Sequence, residues 1–287
     1  MPTAAAPTLI AVDIGNSRMK LGRFDRNRSK GGARASSSPA AALLPEPASS
    51  VEFSIDHQSG EFDAARLVSW CAENLEEDAA WLVGSVHRRA AERLTSVVRD
   101  WSQRGDLSCS VRHLTYRDLP LVVRVDEPAR VGIDRLLATL AVNRLREPSR
   151  AAIVVDLGTA ITVDRVEADG SFSGGAILPG IAMAARALHE HTDALPLVAI
   201  AALETPPDAL GKSTTAAIEA GLFWGAVGAI RELVTRQLRG LSGRPEIFVT
   251  GGAAAHVVDA LGLDAAVRHV PNLVLSGIAL VDERNNH

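Results

Sequence analysis

Two stretches of the chain, half its length apart, carry the same short pattern: Leu9 to Asp25 reads LIAVDIGNSRMKLGRFD and Ala151 to Asp164 reads AAIVVDLGTAITVD. Each is an apolar run, then Asp-x-Gly with a small polar residue, then a second apolar stretch, the pattern of strand, turn and strand. The turns hold residue types that handle phosphate. Glycine lets backbone approach a ligand closely, Asn16, Ser17 and Thr159 offer hydrogen-bond donors, and Asp13 and Asp156 can each hold a metal or order water. Two such turns related by duplication would face each other across a cleft and grip a nucleotide from both sides. Alone, Asp-x-Gly is an ordinary turn; the matched strands around both copies and the half-chain offset make the pair a candidate site.

Gly132-Ile133-Asp134-Arg135 sets an acid beside a base at the start of a helical pattern, where free backbone amides favour an anion. Asp134 there can accept a hydroxyl proton, and Arg135 can fork onto a carboxylate or phosphate. Equally, Asp134 can simply favour the positive helix end while Arg135 is solvated. Thr250-Gly251-Gly252, Gly174-Gly175 and Pro179-Gly180 read either as phosphate-side loops or as plain turns. Gly211-Lys212-Ser213-Thr214 resembles the end of a phosphate-binding loop, but Pro206 stands where the first glycine would be, so that motif is rejected while Lys212 and Thr214 remain candidate substrate contacts. His189 and His191 flank Glu190 without the spacing of a zinc site. Trp70, Trp81, Trp101 and Trp224 sit in periodic segments and are expected in the core.

The elements that must position these residues follow from periodicity. After the first hairpin, Arg26 to Ser50 reads as a long loop rich in Ser, Gly, Ala, Pro and Arg. Strands are expected at Val51 to Ile55, Trp81 to Val86 and Cys109 to Leu114, with helices at Ala64 to Leu75, His87 to Trp101 and Val131 to Leu145. The second half repeats the order. Strands fall at Ala152 to Val155, Thr162 to Glu167 and Ser171 to Ile177, followed by helices to Glu190 and over Thr214 to Leu238, a strand at Glu246 to Val249 and a last helix at Leu273 to Val281. Gly221, Gly225 and Gly228 on the long helix would allow close helix packing. We read domains at 1–148 and 149–287, with the last helix, about 272–284, packing back on the first.

With 287 residues, 47% of them hydrophobic, the chain can bury a large core. Its net charge is −4, with 30 Lys and Arg scattered among 34 Asp and Glu, so no basic stripe invites nucleic acid. Only Cys71 and Cys109 are present, with no metal-type spacing, which reads as a reduced, cytoplasmic protein. No leader is legible at MPTAAAPT and no apolar run is long enough for a membrane.

Taken together, DIGNSRMKLG at 13–22, GIDR at 132–135, DLGTAITVD at 156–164, GGAILPG at 174–180 and TGG at 250–252 resemble the type III pantothenate kinase family over nearly the whole chain. The resemblance implies an α/β fold of duplicated actin-like (ribonuclease H-like) ATPase domains with an interdomain nucleotide cleft. It implies phosphorylation of pantothenate by ATP in the first step of coenzyme A synthesis, in a homodimer, with Mg2+ and a monovalent cation, K+ or NH4+. Carried over by position, Asp13, Ile14, Gly15, Asn16, Ser17, Arg18, Met19 and Lys20 would surround the ATP phosphates, Asp13 near magnesium, and Thr159 would also touch nucleotide. Asp134 would be the base; Gly132, Ile133, Asp134, Arg135 and Thr214 would line the pantothenate site; Asp156 would help hold the monovalent cation. Val125 stands where the family has a substrate-contacting aromatic residue, and Ser17 replaces a threonine. Related readings are a kinase for another small alcohol, a phosphatase, or a catalytically silent nucleotide-binding factor; the intact Asp13, Asp134 and Asp156 argue against the last.

Overall fold

A computed structural model describes residues 8–25, 44–105, 107–199, 205–263 and 266–285. Strands β1 (Thr8–Ile14) and β2 (Arg18–Phe24) form the first expected hairpin, with Asp13 opposite Lys20 and Ile14 opposite Met19. Strand side chains alternate between faces. Ile10, Val12 and Ile14 with Met19 and Leu21 therefore enter one core, which holds Trp81, Val83, Leu67 and Leu94; Asp13 lies on the opposite face. Strand β3 (Ser49–Ser54) extends the hairpin antiparallel, while β4 (Ala79–Ser85) and β5 (Cys109–His113) add on the other side in parallel. The sheet order is β3-β2-β1-β4-β5.

Helices α1 (Ala64–Asn74) and α2 (Arg88–Arg104) are the crossovers a parallel sheet needs. Asp63 caps α1 by accepting from the Arg66 N–H at 2.9 Å, and the His87 ring accepts from the Ala90 N–H at 3.3 Å to cap α2. Against β4 lies α3 (Ile133–Leu145), and against β1 lies α7 (Leu273–Asn285); the two helices also pack on each other. Two glycines set those distances. A Cβ on Gly84 would sit 2.7 Å from Leu137 Cδ1, and one on Gly277 would collide with the Leu137 backbone.

The second sheet repeats the first. Strands β6 (Ala152–Leu157), β7 (Ala160–Val166) and β8 (Phe172–Pro179) form an antiparallel meander, and β9 (Glu246–Thr250) and β10 (Val267–His269) add in parallel. Read from the meander outward, the order β8-β7-β6-β9-β10 matches that of the first sheet element for element. Helices α4 (Ile181–Glu190), α5 (Thr214–Leu238) and the short α6 (Ala254–Val257) complete it. The expected α/β duplication is the observed architecture. Two compact units result: 1–121, 127–145 and 273–287 form one, and 122–126 with 146–272 the other.

Some expectations fail, and one falls largely outside the described residues. Residues 26–43 of the expected loop lie outside the described residues, and Ser49 and Ser50 already belong to β3. Trp224 is not in the core but 38% exposed, its indole N–H donating to the Pro207 carbonyl at 2.9 Å. The helix buries Ile218, Phe223, Val227, Ile230 and Val234, and the next residue after Phe223 turns about 100° away from that stripe. Around Gly221, Gly225 and Gly228 no described atom lies within 4 Å of an added Cβ, so nothing here exploits their small size. We expect Gly277→Ala to destabilise the first unit by about 1–3 kcal/mol, the usual range for overpacking, read as a lower midpoint in urea unfolding; an unchanged midpoint would refute the close approach.

Candidate functional site

The first turn is held from three directions. The Gly15 N–H donates to the Arg18 carbonyl at 2.9 Å and closes the hairpin, the Ile55 N–H donates to Ser17 O at 2.9 Å, and the Val86 N–H donates to Ile14 O at 2.9 Å. These bonds leave Gly15, Asn16 and Ser17 at the carboxyl ends of the parallel strands β1 and β4, where open α/β sheets bind ligands. Ile14 and Met19 are fully buried in the core, so a ligand could meet only their backbone. Arg18 and Lys20 project from the opposite face of β2. Arg18 Nη1 lies 2.9 Å from one oxygen of Glu52 and Lys20 Nζ 3.5 Å from the other.

Val86 joins this turn to the Gly132–Arg135 motif. Its backbone bonds to Ile14, and its Cγ1 lies 3.6 Å from where a Cβ on Gly132 would be. Such a Cβ would also come within 2.5 Å of Asp134 Oδ1, so Gly132 makes room for that carboxylate. Asp134 stands in the first turn of α3, its Oδ1 accepting from the Arg135 N–H at 2.8 Å. Burial pushes its carboxyl above the usual range, against the opposing pull of that amide and the Arg135 charge. A carboxylate raised in this way is a better proton acceptor. Asp13, Lys20 and the Gly132–Arg135 motif thus belong to one unit, on the α3 side of its sheet.

The second turn is a shorter copy. The Gly158 N–H donates to Ala160 O at 3.1 Å, and Leu157 pairs with Ile161. Gly180, the residue before α4, seats directly on the carbonyls of Gly158 and Thr159 and donates to Thr159 O at 3.0 Å. Asp156 stands between Thr162 on β7 and Thr250 on β9 in the ladder. Gly251 adopts φ +99°, and a Cβ there would come within 2.5 Å of Asp156 Oδ1. Glycine is required here twice over, for conformation and for space.

The remaining candidates are spread out. Val125 lies in the segment 122–126, which bonds to Phe172 through Val122 O and the Arg124 N–H, and it touches the position a Gly174 side chain would take at 3.5 Å. It belongs to the second unit, as do Asp156, Thr159 and Thr214. Thr214 opens α5, exposed, after the Ser213 cap; Gly211 packs against Ala216 and Ala217 and forms no phosphate loop. Among the described residues, no group of three or more His, Cys, Asp or Glu could hold a metal on its own. Gly84, Val86 and Glu52 are the site residues that sequence reasoning missed. A glycine inside the apolar strand pattern at 81–86 was the available signal for Gly84; nothing local marked the other two.

A family model for type III pantothenate kinase matches residues 9–236. A type III pantothenate kinase of Rhodopirellula baltica is 39% identical over 199 residues, covering 68% of this chain and 69% of its own length. One from Moorella thermoacetica is 30% identical over 96% of this chain and 99% of its own. Among solved structures, a Sinorhizobium meliloti protein described as a 2-dehydro-3-deoxygalactonokinase matches with TM-score 0.54 at 14% identity, over 96% of this chain and 99% of that one. A Listeria monocytogenes protein described as an N-acetylmannosamine kinase gives 0.52 at 16% identity, over 98% and 100%. At these identities the structural likeness speaks for the fold alone: two α/β domains of the actin-like type.

The raised Asp134 carboxyl has a consequence for stability. The folded chain binds that proton more tightly than the unfolded chain, so the group favours folding below the ordinary aspartate range and loses this as pH rises through its folded value. At neutral pH its charge is a cost. Asp134→Asn should therefore melt at a higher temperature than the parent at pH 7, with the gap closing as the pH falls towards 4 in thermal unfolding; a lower melting temperature at pH 7 would contradict the burial of charge.

Proposed function

The chain belongs to the type III pantothenate kinase family, and on that premise we propose how its residues divide the work. It is a kinase that phosphorylates pantothenate with ATP in coenzyme A biosynthesis. In our reading Asp13 to Lys20 hold the ATP phosphates: the turn brings backbone N–H groups and the hydroxyl of Ser17, and Arg18 and Lys20 bring charge. Thr159 is a further nucleotide contact. Asp134 is the base, Arg135 with Gly132 and Ile133 orients pantothenate, and Val125 and Thr214 are assigned to the same substrate. Ile133 is buried, so its part is to fix the turn.

The observation that carries this reading is the Val86 contact, which brings the tip of the first hairpin and the Asp134 turn to one end of one unit. A primary alcohol of pantothenate beside Asp134 can lose its proton to the carboxylate as its oxygen attacks the γ-phosphorus of ATP and the bond to the β,γ-bridging oxygen breaks, its electron pair leaving with ADP. The loose transition state of phosphoryl transfer asks mainly for charge and positioning. Preorganised amides and the two cations of β2 supply these on the protein side.

Magnesium, when bound with ATP, would neutralise charge on the phosphates. The residues fit an ion held by the phosphates plus one or two carboxylates, as is usual for magnesium, with Asp13 its protein partner. Asp156 with the hydroxyls of Thr162 and Thr250 is an all-oxygen donor set suited to the monovalent cation. The homodimer and the cytoplasmic location belong to the same proposal; no described helix is long and apolar enough to cross a membrane.

A coupled assay with pantothenate and ATP tests the assignment. Asp134→Asn should lower kcat by about 10²- to 10⁴-fold, the range for a lost general base, with ATP binding by calorimetry unchanged; turnover near the parent rate would remove Asp134 from the role. Replacing potassium by sodium should depress the rate of the parent, and Asp156→Ala should lose that difference.

A further inference from the structure

We propose that Glu52 is the counter-ion ATP displaces: it pairs with Arg18 and Lys20 at the tip of the nucleotide hairpin and thereby sets how tightly the enzyme holds ATP and releases ADP. The proposal rests on the reading of that hairpin as the phosphate site, and goes beyond it by giving the hairpin an internal competitor.

The ladder places the groups. Asp13 on β1 pairs with Lys20 on β2, and Lys20 pairs with Glu52 on β3, so the three side chains form one row on one face, acid, base, acid. That face is opposite to the one where Met19, Leu21 and Phe53 enter the core. Arg18, two residues before Lys20, shares the face and reaches the same carboxylate: Oε1 takes Arg18 at 2.9 Å and Oε2 takes Lys20 at 3.5 Å. One carboxylate therefore answers two cations at the hairpin tip.

Stability does not explain this arrangement. The side chains are 59% exposed for Arg18, 28% for Lys20 and 41% for Glu52, and exposed pairs add little to folding. Strand β3 is held without the carboxylate, by its ladder to β2, by the buried Phe53 and by Arg66 donating to the Glu52 carbonyl at 3.1 Å. What the carboxylate changes is the field. With Glu52 ionised, the Arg18–Lys20–Glu52 group presents a net charge of +1 to a polyanion; without it, +2. A kinase that bound its nucleotide through both cations unopposed would also hold its ADP product more firmly, and product release limits many enzymes.

Glu52→Gln keeps the shape and removes the charge. The dissociation constants of ATP and ADP, measured by calorimetry without pantothenate, should both fall about three- to tenfold, as expected for losing one or two screened charge contacts. KM for pantothenate and the melting temperature should stay unchanged, and nucleotide affinity should become more salt-dependent. Lys20→Met is the companion variant. If it weakens ATP while Glu52→Gln leaves nucleotide affinity unchanged or lower, the counter-ion role is overturned and the hairpin reading stands. If Lys20→Met leaves ATP affinity unchanged, the hairpin reading fails, and the proposal with it.

Discussion

The close approach of α3 to the first sheet at Gly84 is the constraint on which the candidate site depends. Leu137 fills the space a side chain at 84 would need, and Leu137 lies three residues after Asp134 on the same helix. Residues three apart share a helix face, so the depth to which Leu137 sinks fixes the height of Asp134 over the end of β4. From the other side α7 presses on α3 through Gly277, which lies against the Leu137 backbone. Two missing Cβ atoms thus clamp one leucine, and through it the proposed base. Interiors pack too densely for such a helix to drift by even a fraction of a side chain.

The two sheets show how one skeleton is given two chemistries. Their strand order is the same, and each places an aspartate one residue before the end of its first strand. The neighbours in the ladder differ. Asp13 has Lys20 on one side and Gly84 on the other, whereas Asp156 has Thr162 and Thr250. A carboxylate paired in the ladder with a lysine suits a charged ligand that brings its own metal. A carboxylate with a threonine on either side in the ladder has hydroxyls in place of that cation. The turns diverge as well: the first is one residue longer, and the second is wedged from beneath by Gly180. Duplication preserved the backbone rule and left the side chains to specialise.

Much of this was legible in the sequence because it is written in local periodicity. The alternation of LIAVDI and AIVVDL, the Asp169-Gly170 turn and the uninterrupted pattern of Thr214 to Leu238 each predict an element that the structure contains. What escaped depends on partners far away in the chain. Strand β10 has three residues, too few for a period to show. Trp224 reads as core because large aromatic residues usually are, yet its angle around α5 puts it on the open side. Glu52 is one polar residue on an alternating strand; only the register of β2 with β3 reveals that it faces two cations. Val86 has no chemistry of its own and matters because its amide bonds to one motif while its methyl lies beside the place a Gly132 side chain would take in the other.

The Asp134 carboxylate shows how competing effects resolve in a half-buried acid at a helix start. A helix start favours negative charge, and both the Arg135 amide and the Arg135 charge pull the carboxyl towards ionisation. Desolvation opposes them and prevails, since the shift is upward. If the aspartate were merely a helix cap, exposure would serve it better, because the amides could then be satisfied without taking the charge out of water. Burial leaves this carboxyl binding a proton more strongly than an exposed aspartate does. Its orientation, moreover, is set by amides of its own turn, of Asp134 and Arg135, so it points wherever the backbone of α3 points. Proton affinity and aim therefore have a common origin: both come from how deeply α3 is seated on the sheet.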